Sequence, residues 1–156
     1  MADKGQFLPE TETAVPIVHP PGAGQAVGVL GARSTFKVLI AQTGGAYALL
    51  EQEVPPGGGP PLHVHRHETE RFHILEGQFE LTVGDQRLAA PAGTVAVCPR
   101  DIPHTFRNVG TMPGKLMLTV IPGRFADYFL EVDNVPDHDH AAIRTLAAKY
   151  GVEILE

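Results

Sequence analysis

Short runs of β-branched, aromatic and aliphatic residues recur along the chain, and each is bounded by glycine, proline or aspartate. This pattern predicts strands of an all-β sandwich or barrel. The predicted strands cover residues 35–41, 46–54, 71–75, 79–83, 94–97, 105–109 and 115–121. The chain also has 17 glycines and 14 prolines, which fits many short strands joined by turns.

Two later segments have helical periodicity. In residues 124–132, apolar side chains recur at spacings of three and four on one face: Phe125, Tyr128, Phe129 and Val132. Residues 139–150 follow a proline–aspartate start signal and end before Gly151. We therefore expect an N-terminal arm or edge strand in residues 1–30, a barrel in residues 31–122, and a C-terminal helical cap in residues 123–156.

Composition narrows the possible partners. A chain of 156 residues can form one domain with a real core. Its net charge of −6 argues against binding nucleic acid or an anionic membrane surface. The sequence shows neither a membrane-spanning apolar run nor the apolar core of a signal peptide. The single cysteine, Cys98, forms no internal disulfide and suits a reducing cytosol, so we expect a cytoplasmic protein with Cys98 buried.

Half of the eight histidines fall within residues 63–73. His63 and His65 are two apart, so in a strand both imidazoles point to the same side. Glu70 follows a short polar turn and shares one strand face with Phe72 and Ile74. A carboxylate that continues into apolar side chains on one face is unusual for a solvated surface. This pattern favours a metal ligand at the rim of a filled barrel.

A second segment, residues 92–108, contains the remaining candidate ligand. Gly93 and Pro99 bracket a short predicted strand, and a turn follows Pro99. Pro103 then fixes the backbone before His104, which opens the next strand. A histidine placed in this way is held in one orientation with little conformational entropy left to lose.

These two segments resemble the two conserved motifs of the cupin superfamily. The first motif is matched by Gly57, five residues, His63-Val64-His65, four residues, Glu70, six residues and Gly77. The second is matched by Gly93, five residues, Pro99-Arg100-Asp101, two residues, His104, three residues and Asn108. Asp101 stands where the family usually has glycine. Aspartate tolerates left-handed turn conformations, so we expect the turn to be preserved.

The resemblance implies a double-stranded β-helix, the jelly-roll barrel of cupins, with one divalent transition metal per chain. By position, the expected metal ligands are His63, His65, Glu70 and His104. Three imidazoles and one carboxylate suit Fe, Mn, Ni, Co, Cu or Zn better than Ca or Mg. Such a centre attracts an anionic oxygen of a substrate.

Neighbouring residues receive other roles. We expect His67 and Glu68 to be exposed in the turn between the ligand strands. His73 is expected to face a neighbouring strand or a subunit interface, away from the metal. Phe72 and Phe106 lie beside ligands in the sequence, so they are candidates for the wall of a substrate pocket.

The C-terminal segment also resembles the tail of single-domain, quercetin 2,3-dioxygenase-like cupins. This resemblance implies a metal-dependent dioxygenase, an oxidoreductase that cleaves a flavonol or another enolisable aromatic molecule with O2, using Glu70 as the catalytic base. One alternative is a metal-dependent cyclase or isomerase of an aromatic polyketide or a sugar-like compound, which needs no O2. Another is a non-catalytic cupin that binds a small molecule. We also expect a homodimer that pairs through the first 35 residues.

Overall fold

Antiparallel strands are the main regular structure in residues 15–156, the part of the chain that the computed structural model describes. The strands are β1 (Gln25–Val29), β2 (Ala32–Val38), β3 (Ala48–Val54), β4 (His63–His65), β5 (Thr69–Glu76), β6 (Gln78–Val83), β7 (Gln86–Pro91), β8 (Val95–Cys98), β9 (His104–Asn108), β10 (Gly114–Ile121) and β11 (Val152–Ile154). The first part of the predicted N-terminal arm, residues 1–14, lies outside the described residues.

The strands form two sheets. One has the strand order β1-β2-β3-β10-β5-β8, and the other has the order β11-β4-β9-β6-β7. Each pairing between neighbouring strands is antiparallel. The two sheets confirm the prediction of an all-β jelly-roll fold.

Strand alternation places the core between the two sheets. In β3, the even-numbered positions 48–54 are buried, and β10 pairs with both β3 and β5. Leu50, Phe72 and Leu118 lie next to one another in this register and are at most 2% exposed. Burying each such side chain stabilises the fold by about 1.5–3 kcal/mol. The core therefore begins directly beside Glu70, two positions before Phe72 on β5.

A helical segment follows β10 and packs against β1, β3, β10 and β11. It contains a 3-10 turn (Gly123–Ala126), α1 (Asp127–Val132) and α2 (His140–Lys149). The four apolar side chains predicted to share one face of the first helix are all buried. Asp139 caps α2 by accepting a hydrogen bond from the Ala142 N–H at 3.0 Å. After α2, the chain returns to the barrel as β11, which pairs with β4.

The predicted strands are confirmed, with ends that shift by at most three residues. The pattern did not predict β7 or β11. In β7, five of the six residues are exposed, so the strand lacks the alternation of apolar and polar positions. β11 has only three residues. None of the helices in residues 15–156 has the length and apolarity needed to cross a membrane.

Candidate metal centre and adjoining cavity

Four predicted ligands from both sheets meet inside the barrel. His63 and His65 lie on β4, and His104 lies on the neighbouring strand β9, paired in register with His63. Glu70 comes from β5 in the opposite sheet. All four side chains are buried, with exposures of 8% for His63, 1% for His65, 3% for Glu70 and 1% for His104.

The Glu70 carboxylate lies at the centre of this cluster. Its Oε2 is 3.0 Å from His104 Nε2 and 3.9 Å from His63 Nε2. Its Oε1 is 3.5 Å from His65 Nε2. Each of the four residues offers one ligand atom, and these atoms all lie within 4.8 Å of one another. The cluster therefore presents three imidazole nitrogens and one carboxylate oxygen to a common point.

The opposite nitrogen of each imidazole contacts an acceptor. His63 Nδ1 is 2.8 Å from the carbonyl oxygen of Pro61, and His104 Nδ1 is 2.9 Å from that of Ile102. His65 Nδ1 is 3.4 Å from Glu68 Oε2. In a metal-bound cluster, Nδ1 would be the donor in each contact, and the neutral ring would keep its lone pair on Nε2, the atom that faces Glu70. This orients three lone pairs toward one point.

Opposing influences act on the charge of Glu70. Burial raises the pKa of its carboxyl, but the charge of His65 and the hydrogen bonds from His104 and His63 outweigh burial. The pKa of Glu70 is therefore held well below its usual range, and the carboxylate is ionised. Burial lowers the pKa of His104, but the hydrogen bond and the charge of Glu70 outweigh burial. The pKa of His104 is therefore raised.

The residues of the cluster fit a divalent transition metal. His65 Nε2 is buried and has no hydrogen-bond partner within residues 15–156, as expected of an atom prepared for a metal ion. Three imidazoles and one carboxylate suit Fe, Mn, Co, Ni, Cu or Zn, whereas Ca and Mg prefer oxygen ligands. The buried cluster can hold one such ion.

An apolar cavity of about 90 Å³ adjoins the cluster, and His63 and Glu70 form part of its wall. Both predicted pocket residues, Phe72 and Phe106, line it. Phe125, Tyr128 and Phe129, which were predicted to share one helix face, belong to the cap and also line the cavity. The Phe125 ring packs edge-on against His65, with 4.4 Å between ring centroids. The cap thus forms part of the wall of the cavity.

The structure corrects one expectation about the turn before Glu70. His67 is exposed as expected, but Glu68 is buried at 2% exposure, because its carboxylate turns inward to His65 Nδ1. Predicting a turn from the sequence does not show which of its polar side chains points inward and contacts a metal ligand. His73 pairs in register with Met117 and Val95, on the face of β5 opposite to Glu70, and is half-buried.

The turn of the second motif is preserved. Asp101 has a φ of 65°, the left-handed conformation for which the family usually has glycine. Its N–H donates to the carbonyl oxygen of His65 at 2.8 Å. Arg66 binds both Asp101 and Glu153, with distances of 3.1 and 2.6 Å. These contacts link the end of β4, which carries His63 and His65, to the second motif and to β11.

Cys98 is buried at 1% exposure, as predicted, and lies beside Glu70 in the register of β8 and β5. Burial and the nearby Glu70 charge raise the pKa of its thiol to about 12. The thiol is therefore protonated at neutral pH and is a poor nucleophile.

Comparison with known proteins places these residues in a family context. Residues 50–121 match the family described as the cupin domain. Quercetin 2,3-dioxygenase of Bacillus subtilis is 28% identical over 118 residues, covering 74% of this chain and 34% of that protein. An uncharacterised protein of Methanocaldococcus jannaschii is 31% identical over 75 residues, covering 48% of this chain and 60% of that protein. The chain thus spans about a third of the first relative and 60% of the second.

Solved structures share the fold at low sequence identity. An RmlC-like cupin from Shewanella frigidimarina superimposes with a TM-score of 0.60 at 16% identity, covering 72% of this chain and 96% of that one. KdgF from a Halomonas species gives 0.56 at 13% identity, covering 62% and 85%. At these identities the likeness concerns the fold alone.

Proposed function

The chain belongs to the cupin superfamily, and from this premise we propose that it is a metal-dependent dioxygenase of the quercetin 2,3-dioxygenase type. Its substrate is a flavonol or another enolisable aromatic molecule. One observation carries the proposal: the cluster of three histidines and Glu70 forms part of the wall of an apolar cavity. The proposal is also supported by the likeness to the Bacillus subtilis dioxygenase.

The cavity favours an aromatic substrate over a sugar-like one. Its wall is mainly apolar and includes the rings of Phe72, Phe106, Phe125, Tyr128 and Phe129. Phe72 and Phe106 pack edge-to-face at 5.3 Å, so they form a rigid aromatic corner beside the ligands. A planar ring system buries its apolar faces against these walls, while a sugar offers them little apolar surface.

Within this proposal, His63, His65, Glu70 and His104 hold the metal. A divalent transition metal held there supplies Lewis acidity, which favours the ionised form of a substrate hydroxyl group. Glu70 is ionised and lines the cavity, so its carboxylate can accept the proton from that hydroxyl group. Once a contact between Glu70 and an imidazole is released, burial raises the pKa of the carboxyl and so favours its protonated form. The aromatic corner of Phe72 and Phe106 holds the substrate ring and excludes water.

The test is O2 consumption with quercetin, measured together with the loss of flavonol absorbance. The protein is prepared separately with Mn, Fe, Co, Ni, Cu or Zn. At least one metal should support O2-dependent turnover. Glu70→Ala should lower kcat by a factor of about 10²–10⁴, the usual contribution of a general base. Circular dichroism and metal content show whether this variant keeps its fold and its ion.

Two results would contradict parts of this proposal. Retained turnover in a metal-bound Glu70→Ala protein would remove Glu70 as the base. Absence of O2 consumption with all six metals would overturn the proposed dioxygenase activity. Turnover of an aromatic polyketide under strictly anaerobic conditions would instead support the cyclase or isomerase alternative, which uses the same metal and base without O2.

A further inference from the structure

One polar side chain interrupts the apolar inner face of β3. Inward positions along this strand carry Ala48, Leu50, Gln52 and Val54. Gln52 is 6% exposed and pairs in register with Leu116 of β10 and Ser34 of β2. An amide at such a position must find hydrogen-bond partners inside the protein.

Only one end of the Gln52 amide has such a partner. Its Nε2 donates to Ser34 Oγ at 3.0 Å, and Ser34 is fully buried. Its Oε1 is buried and accepts no hydrogen bond from any group in residues 15–156. A serine hydroxyl both donates and accepts, so it can bind either end of an amide. With Nε2 bound to Ser34, the Oε1 end has no partner among the described residues.

Gln52 belongs to the wall of the cavity described above. Gln52 lines that cavity together with His63, Glu70, Phe72 and Phe106. The other polar wall residues named here, His63 and Glu70, belong to the metal centre. Gln52 thus adds a polar group to the apolar part of the wall. Ser34 holds its amide in place, and the Oε1 atom has no hydrogen-bond partner among the described residues.

We propose that Gln52 is a substrate-binding residue that hydrogen-bonds a second hydroxyl group of a polyhydroxylated aromatic substrate. This inference rests on the proposed function, in which a first hydroxyl group lies at Glu70. A hydroxyl group both donates and accepts, so it satisfies whichever end of the amide is free. Gln52 then selects substrates with a hydroxyl group distant from the reacting one over analogues that lack it. The selection arises because an analogue without this hydroxyl group leaves the buried amide unpaired.

Two flavonols test this selection without turnover. Quercetin and 3-hydroxyflavone both carry the hydroxyl group proposed to react, and only quercetin carries further ones. Each is titrated under anaerobic conditions into the metal-loaded protein, and binding is followed by flavonol absorbance. Gln52→Leu removes the amide, and Gln86→Leu is the matched control, because Gln86 is an exposed glutamine on β7.

The wild-type protein should bind quercetin more tightly than 3-hydroxyflavone. In Gln52→Leu, the ratio of the two affinities should fall by roughly 3- to 10-fold, the effect of one hydrogen bond. The ratio should not change in Gln86→Leu. An unchanged ratio in Gln52→Leu, with flavonol binding intact, overturns the role of Gln52 and leaves the proposed function standing.

A second measurement, thermal unfolding without any ligand, tests whether Gln52 has a structural role instead. The double variant Ser34→Ala/Gln52→Leu removes both polar groups, so neither is left buried alone. If the amide is retained for binding, the Tm of the metal-free double variant should equal or exceed that of the wild type. A fall of more than about 5 °C would show that the pair serves to hold β2 and β3 together, and would overturn the inference. If the wild type binds neither flavonol, the proposed function fails, and this inference, which rests on it, fails with it.

Discussion

Replacing Glu68 by glutamine should weaken metal binding without weakening the fold. Glu68 and His65 are both almost fully buried, and Glu68 Oε2 lies 3.4 Å from His65 Nδ1. The carboxylate thereby fixes the orientation of the ring and raises the basicity of the Nε2 that faces the metal position. Glutamine has nearly the same size and can still accept the hydrogen bond, so the substitution removes the negative charge alone.

The size of the effect follows from this contact. Hydrogen bonds with a charged partner are roughly twice as strong as neutral ones. Removing partners of this kind commonly lowers metal affinity by about 10- to 100-fold. At 3.4 Å the contact is long, so we expect the lower end, about tenfold in Kd or ~1.4 kcal/mol. The metal-free protein should not lose stability, because glutamine removes a buried charge.

The assay is competition for the metal against a chromophoric chelator, at one pH and ionic strength. Urea unfolding of the metal-free proteins gives the free energy of unfolding in parallel. Glu76→Gln is the matched control, since Glu76 is an exposed glutamate at the end of β5. A Kd for Glu68→Gln within twofold of the wild-type value would refute the reasoning, as would an equal loss of affinity in the control.

Three further predictions concern the ligands, the cap and assembly. His104→Ala should lower the metal content after dialysis from about one ion per chain to less than about a tenth of that, measured by elemental analysis. Gly151→Ala should destabilise the protein by about 1–2 kcal/mol in chemical unfolding, because Gly151 has a φ of 75° and an added Cβ would lie 2.5 Å from the His67 ring. We propose a homodimer that pairs through the N-terminal strands, so light scattering at micromolar concentration should give twice the 16.7 kDa chain mass. A monomer mass would overturn the dimer.

Strand alternation explains why much of the site could be predicted from the sequence. It places His63 and His65 on one side of β4, and Glu70 in line with Phe72 and Ile74 on β5. The motif spacing then added His104, which the fold brings within 3.0 Å of Glu70. The same alternation contained an overlooked signal: Gln52 occupies an inward position of β3, between Leu50 and Val54.

Other features could not be predicted because they depend on contacts between distant segments. Glu68 lies in a short turn, where no periodicity tells which side chains point inward. The aromatic residues at 125, 128 and 129 were predicted to share a helix face, but their place on the cavity wall depends on how the cap packs. The three-residue β11 is a strand because β4 offers it a partner, and its alternation of Val152, Glu153 and Ile154 is too short to predict a strand.

The pairing of β11 with β4 has a consequence for the order of folding during synthesis. Arg66 and Glu153, which bridge these two strands, are 87 positions apart in the chain. Until residues 152–154 have left the ribosome, the strand that carries His63 and His65 lacks one of its two neighbours. The other strands of the barrel are made earlier and can pair first. A metal ion that reaches the nascent chain early therefore meets histidines on a half-paired strand, and a fully formed centre comes only with the final steps of folding.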